Sequence, residues 1–201
     1  MGGVTPVHKI SLAVLISGRG SNLQSIIDAC RIDNFPAEIK IVISNIEDAY
    51  GLVRAQNFNI PIRVVSHKGC SSKAEFEQRI LSILDEFKID LVCLAGFMRI
   101  LSPTLIAPWE GRIINIHPSL LPKHKGLHTH ERALEDGDTE SGCTIHYVTS
   151  GVDEGDIILQ KSVAILPDDT PDALAARVLE QEHIAYPEAI RLIASTLPKS
   201  T

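Results

Sequence analysis

The chain has 201 residues, 44% apolar and 22% charged, which suits one domain with a sizeable core. Its net charge of −6 argues against a broad basic face for nucleic acid, although a local pocket can still hold a small anion. No apolar run approaches the roughly 18 residues of a membrane-spanning helix, and Cys30, Cys70, Cys93 and Cys143 form no close pair, as expected in a reducing cytoplasm.

Residues 1–9 read as a flexible lead without the apolar segment of a signal peptide. Ile10–Ile16 is a short apolar run bounded by Ser17 and Gly18, the pattern of a strand buried on both faces. A helical pattern follows over residues 23–31, a strand over 39–44, a helix over 51–57 and a strand over 62–65. Ser72 and Glu75 form a capping box that starts a helix running to about Phe87. Strands are expected at 91–95 and 113–117. This alternation predicts a doubly wound, mostly parallel α/β sheet with helices on both faces. Residues 143–148 and 157–163 read as two further strands forming an antiparallel or mixed extension. Thr170 and Pro171 then suit the N-cap and first position of a long last helix, kinked near Pro187. One domain over residues 1–201 is the economical organisation.

Chemistry concentrates in four places. In Ser17-Gly18-Arg19-Gly20-Ser21-Asn22, two glycines allow close approach to a ligand, and the helix start offers N–H groups to a phosphate. Ser21 could instead, or as well, be a plain N-cap, with Gln24 completing a capping box. A dinucleotide fingerprint is incomplete, because Leu23 replaces its third glycine and no acid follows Ser44-Asn45. The segment from Leu94 to Ser102 is an apolar loop carrying Arg99, suited either to a flat organic ligand bearing a carboxylate or to simple packing.

Asn115 and His117 alternate at the end of an apolar strand, so both point to one face at its tip, where Pro118 ends the ladder. An amide donor beside an imidazole can stabilise an oxyanion and move a proton, the needs of acyl-type transfer. His117, His124, His128 and His130 match no common metal spacing, so a loop shaping the pocket is expected there instead. The turn from Ser150 to Asp156 holds three acids: either a solvated turn, or one carboxylate holding His117 and favouring its charged form.

Gly18-Arg19-Gly20-Ser21-Asn22-Leu23, Leu94-Ala95-Gly96-Phe97-Met98-Arg99-Ile100-Leu101, Asn115 to Pro122 and Gly151-Val152-Asp153-Glu154-Gly155 occur in this order. Together they closely resemble the phosphoribosylglycinamide formyltransferases, folate-dependent enzymes of purine synthesis, over about residues 10–187. The resemblance implies a Rossmann-like formyltransferase fold. It implies transfer of the formyl group of 10-formyltetrahydrofolate, a cosubstrate, to the amine of phosphoribosylglycinamide, in the cytoplasm and without metal, nucleic acid or membrane. Asn115, His117 and Asp153 match the family's catalytic trio. Gly20, Ser21, Asn22, Gly96, Pro118 and Glu182 match its ribonucleotide contacts. Met98, Arg99, Ile100, Leu101 and the turn Thr149, Ser150, Gly151, Val152 and Asp153 match its folate pocket.

Two departures stand out: Leu179 replaces the family's glutamine three positions before Glu182, and Lys125 stands where bacterial relatives have proline. The rival readings are hydrolysis of formyltetrahydrofolate, formylation of methionyl-tRNA, and a nucleotide-binding regulator without catalysis. The first two relatives carry extra domains not expected here, and the third would leave Asn115, His117 and Asp153 without a role.

Overall fold

Apolar runs that alternate with one-sided helices build the protein around one twisted sheet. The computed structural model describes residues 9–197. Its strands are β1 (Ile10–Ile16), β2 (Ala37–Ser44), β3 (Ile62–Val64), β4 (Leu91–Leu94), β5 (Ile113–His117), β6 (Glu140–Tyr147) and β7 (Ile157–Ala164). They lie in the order β3-β2-β1-β4-β5-β6-β7. The first five pair in parallel, whereas β6 runs antiparallel to both β5 and β7. The expected doubly wound sheet with an antiparallel extension is therefore the observed fold.

Successive residues of the central strands enter opposite cores, which is why these runs are apolar throughout. Leu12, Val14 and Ile16 join a core shared with α1 (Ser21–Cys30), α2 (Tyr50–Asn57) and α6 (Pro171–Ala194). Ala13 and Leu15 face the other core, with α3 (Lys73–Glu86) and α4 (Pro103–Ile106). At the start of α3, Ser72 Oγ accepts the Glu75 N–H at 3.1 Å. The Glu75 carboxylate turns to the N–H of Ser71, not Ser72, so the capping box is shifted by one residue on its return arm.

α6 starts as expected, with Thr170 Oγ1 accepting the Ala173 N–H and Pro171 in the first turn. It continues through Pro187 as one helix. Among the described residues, no helix is long and apolar enough to cross a membrane.

Two helices lack a readable periodicity. α4 spans four residues, and α5 (Thr129–Glu135) buries only Thr129 and Ala133. Each is held by its neighbours more than by its own pattern. β6 begins at Glu140, earlier than the apolar run suggests, because Ser141 and Gly142 also pair with β7. Gly142 is required there: a Cβ would lie 2.0 Å from the Lys161 carbonyl oxygen.

Candidate active site

The tips of β1, β4 and β5 are adjacent at the carboxyl edge of the parallel strands, where open α/β sheets bind ligands. β5 lies between parallel β4 and antiparallel β6, so the polar ends of two differently directed strands meet at its tip. Asn115 and His117 project from one face of β5, the same face from which Ile113 enters the second core.

His117 is 5% exposed. Its Nδ1 lies 3.3 Å from Asp153 Oδ2, and its Nε2 donates to the His124 carbonyl oxygen at 2.9 Å. With an oxygen facing each ring nitrogen, the imidazole satisfies both only when both carry hydrogen. Asp153 Oδ2 also accepts the Gly126 N–H at 2.9 Å, which ties the 124–126 segment to the turn between β6 and β7. Asp153 sits in the left-handed region at φ 52, a conformation that aspartate tolerates better than most residues. Among the turn's acids the geometry is selective. Glu154 turns outward to Lys125 at 3.0 Å, and the Asp156 side chain is exposed.

The strand pairing adds a histidine that sequence reasoning missed. His146 is the register partner of Asn115 across β5 and β6 and is 2% exposed. Its Nδ1 donates to the Tyr147 carbonyl oxygen at 2.9 Å, leaving Nε2 to accept from Asn115 Nδ2 at 3.4 Å. Burial holds the His146 pKa below the ordinary histidine value, opposed by the Tyr147 carbonyl and by Asp153, whose Oδ1 lies 3.6 Å from Nε2. One amide hydrogen of Asn115 is thereby fixed, and the second remains for a substrate oxygen. Thr144 was also missed. Its hydroxyl donates to the Ser119 carbonyl and accepts from Leu121 N–H and Gln160 Nε2, holding the chain that leaves His117 and Pro118. Neither residue carries a signal without the β5–β6 register.

At the β1 tip the N-cap of α1 is Gly20 (φ 68), with no side-chain cap. The alternative Ser21–Gln24 capping box is therefore absent; Ser21 is already helical, and Gln24 bonds Arg54 and Asp28 instead. The first-turn N–H groups consequently have no side-chain acceptor, which favours the anion-site alternative. Asn22, 8% exposed, donates from Nδ2 to Glu182 Oε2 on α6 at 2.6 Å. Its Oδ1 is buried without a partner among the described residues.

Burial pushes the Glu182 carboxyl up, with the Asn22 hydrogen bond opposing. A raised folded value means that ionised Glu182 opposes folding. Its favourable contribution is full below the unfolded value near about 4.3 and is lost as pH rises through the raised value. Glu182→Gln should therefore show no gain over wild type in urea unfolding near pH 4, and a growing gain towards pH 7. A gain independent of pH would contradict the burial account.

The β4 loop divides in two. Phe97 and Leu101 are 9% and 6% exposed and belong to the second core, whereas Met98 and Ile100 are 72% and 71% exposed, with Arg99 also in solvent. Across the site, Thr149, Ser150 and Val152 are likewise exposed. Met98, Ile100 and Val152 thus offer apolar surface flanking the trio, a fit for a flat ring system. Ser17 joins the two loops: its N–H donates to the Gly96 carbonyl at 3.1 Å and its hydroxyl accepts the Met98 N–H at 2.8 Å.

The histidine-rich segment does not converge. His124 pairs with Asp138 at 2.8 Å and the His128 side chain is exposed. Among the described residues, no three His, Cys, Asp or Glu side chains group to hold a metal.

An open α/β sheet with an amide, an imidazole and a carboxylate at one strand tip is the equipment of an acyl-transfer enzyme. The chain belongs to the formyl transferase family, which it matches over residues 10–190. It is 49% identical over 180 residues to the phosphoribosylglycinamide formyltransferase of Haemophilus influenzae, a match covering 90% of this chain and 85% of that protein. It is 51% identical over 187 residues to the trifunctional purine biosynthetic protein adenosine-3 of Homo sapiens, covering 93% of this chain. The chain spans only 18% of the length of that relative. The crystal structure of phosphoribosylglycinamide formyltransferase from Brucella melitensis is 47% identical with a TM-score of 0.90, covering 96% of this chain and all of the other.

Proposed function

We propose that the chain, acting as one cytoplasmic formyltransferase domain, transfers the formyl group of 10-formyltetrahydrofolate to the amine of phosphoribosylglycinamide. The observation that carries this reading is the meeting of Asn115, His117 and Asp153 at the β5 tip. The match to a bacterial enzyme of that name over most of both chains supports the choice of substrates.

The acceptor's amine attacks the formyl carbon, and its carbonyl oxygen becomes an oxyanion. Asn115 donates its second amide hydrogen to that oxygen. His117 adds its Nε2–H, exchanging the His124 carbonyl for the oxyanion. Asp153 faces Nδ1 and balances the imidazolium charge. The attacking nitrogen loses a proton, the folate nitrogen gains one, and the carbon–nitrogen bond to folate breaks, releasing tetrahydrofolate and the N-formyl product. His117 and Asp153 are the groups within reach to pass that proton, directly or through water. The first-turn N–H groups of α1 and Ser21 hold the phosphate, Glu182 meets the ribose, and Gly96 and Pro118 border the glycinamide. Met98, Arg99, Ile100 and residues 149–153 receive the folate above the buried Leu101, with Arg99 available to its carboxylates.

Steady-state kinetics test the placement of the two substrates. Inorganic phosphate should compete with phosphoribosylglycinamide and not with folate. Asn22→Ala, which frees the Glu182 carboxylate, should raise KM for the ribonucleotide and leave folate nearly unaffected. Competition between phosphate and folate would overturn the placement.

A further inference from the structure

α2 contributes none of the groups assigned above, yet it grips the anion loop at two successive carbonyls. Gly51 N–H donates to the Gly18 carbonyl at 3.0 Å, and Arg54 Nε donates to the Arg19 carbonyl at 2.9 Å. Arg54 Nη1 reaches on to Gln24 Oε1 in the first turn of α1, at 3.2 Å. Its guanidinium lies over the Tyr50 ring, 5.1 Å from the centroid, which fixes its plane. The loop and helix touch through backbone: a Cβ on Gly20 would fall 2.7 Å from Gly51 Cα. Both carbonyl dipoles are therefore drawn towards α2, while the free N–H groups of the first turn of α1 carry no side-chain cap.

Among the described residues, no carboxylate lies within ion-pair distance of Arg54, whose hydrogen-bond partners are a carbonyl and an amide. Its positive charge thus stands beside the loop without an ion-pair partner among the described residues. His183, the neighbour of Glu182 on α6, feels the same field: burial first, and Arg54 second, hold its pKa down.

We propose that Arg54 is the positioning residue of the phosphate site: it holds the Gly18–Gly20 backbone in its anion-accepting form and biases the site towards a doubly charged phosphate monoester. This rests on the functional reading above. Arginine is needed in place of lysine, because one planar fork must serve the Arg19 carbonyl and Gln24 while stacking on Tyr50.

The test compares wild type, Arg54→Gln and Arg54→Lys, each checked for a wild-type urea midpoint. For Arg54→Gln, KM for phosphoribosylglycinamide should rise roughly tenfold or more, with kcat and the folate KM changed less than about twofold. The inhibition constant of inorganic phosphate should rise in parallel. Arg54→Lys should show a smaller rise in the same two quantities. Phosphate titration followed by the amide NMR signals of Ser21–Leu23 gives a readout without turnover: weaker binding in the variants than in wild type supports the proposal. Unchanged phosphate affinity in a folded Arg54→Gln overturns it, as does an equal fall in kcat and in affinity for both substrates. If wild type transfers no formyl group, the functional reading fails by itself, and the phosphate titration still decides the role of Arg54.

Discussion

His117→Ala is expected to lower turnover by roughly 10²–10⁴-fold, with binding of either substrate changed far less. The size follows from what one side chain would supply in the proposed mechanism: an oxyanion donor through Nε2, now on the His124 carbonyl, and a partner for the Asp153 carboxylate through Nδ1. Truncation removes both and leaves the Asp153 carboxylate facing only the Gly126 N–H and, at 3.6 Å, His146 Nε2. The walls proposed for the substrates on the β1 and β4 loops are untouched. Rapid-quench measurement of the chemical step, beside equilibrium binding of each substrate, separates the effects. Near-normal turnover in a folded variant would remove His117 from the chemistry.

Asp153→Asn should produce the second-largest loss, roughly 10²-fold or more in kcat. The asparagine can still accept the Gly126 N–H, so the turn should keep its shape. It brings no negative charge against His117, and its amide can present an N–H where the ring needs an acceptor. Glu154→Gln should stay within about twofold, because Glu154 makes only a partly exposed pair with Lys125. Asp156→Asn should behave in the same way. A large effect at Glu154 or Asp156, with a small one at Asp153, would reassign the acid.

Much of this site is legible in the chain because it is local. Asn115, His117 and Pro118 declare a strand, its face and its end within four residues, and the structure ends β5 at His117. The glycines at 18 and 20 mark a turn from strand to helix, and the helix starts where they stop. Thr170 and Pro171 state the start of α6 equally directly. What was illegible depends on pairing across distance. The turn's own residues leave three acids open; the resemblance names Asp153, and the physical reason lies in the turn's conformation, in which that carboxylate faces inward at φ 52. His146 looks like any polar residue on a strand until the register sets it opposite Asn115. Arg54 belongs to a helix whose sequence concerns only its own core, and its partners on the anion loop lie 30 and 35 residues away. The choice between an anion site and a Ser21 cap is illegible for a related reason. Glycine in the left-handed region can end a loop and begin a helix without a side-chain acceptor, a geometry the dipeptide Gly-Ser does not disclose.

The central claim is that this site moves a formyl group from folate to an amine and does not release it to water. Carbon-13 NMR with 10-formyltetrahydrofolate labelled in the formyl carbon follows that group directly, with and without phosphoribosylglycinamide. The account predicts that the label appears as the formamide of the acceptor, only when the acceptor is present, and that His117→Ala slows its appearance. Label collecting as formate at the same rate without the acceptor would contradict it.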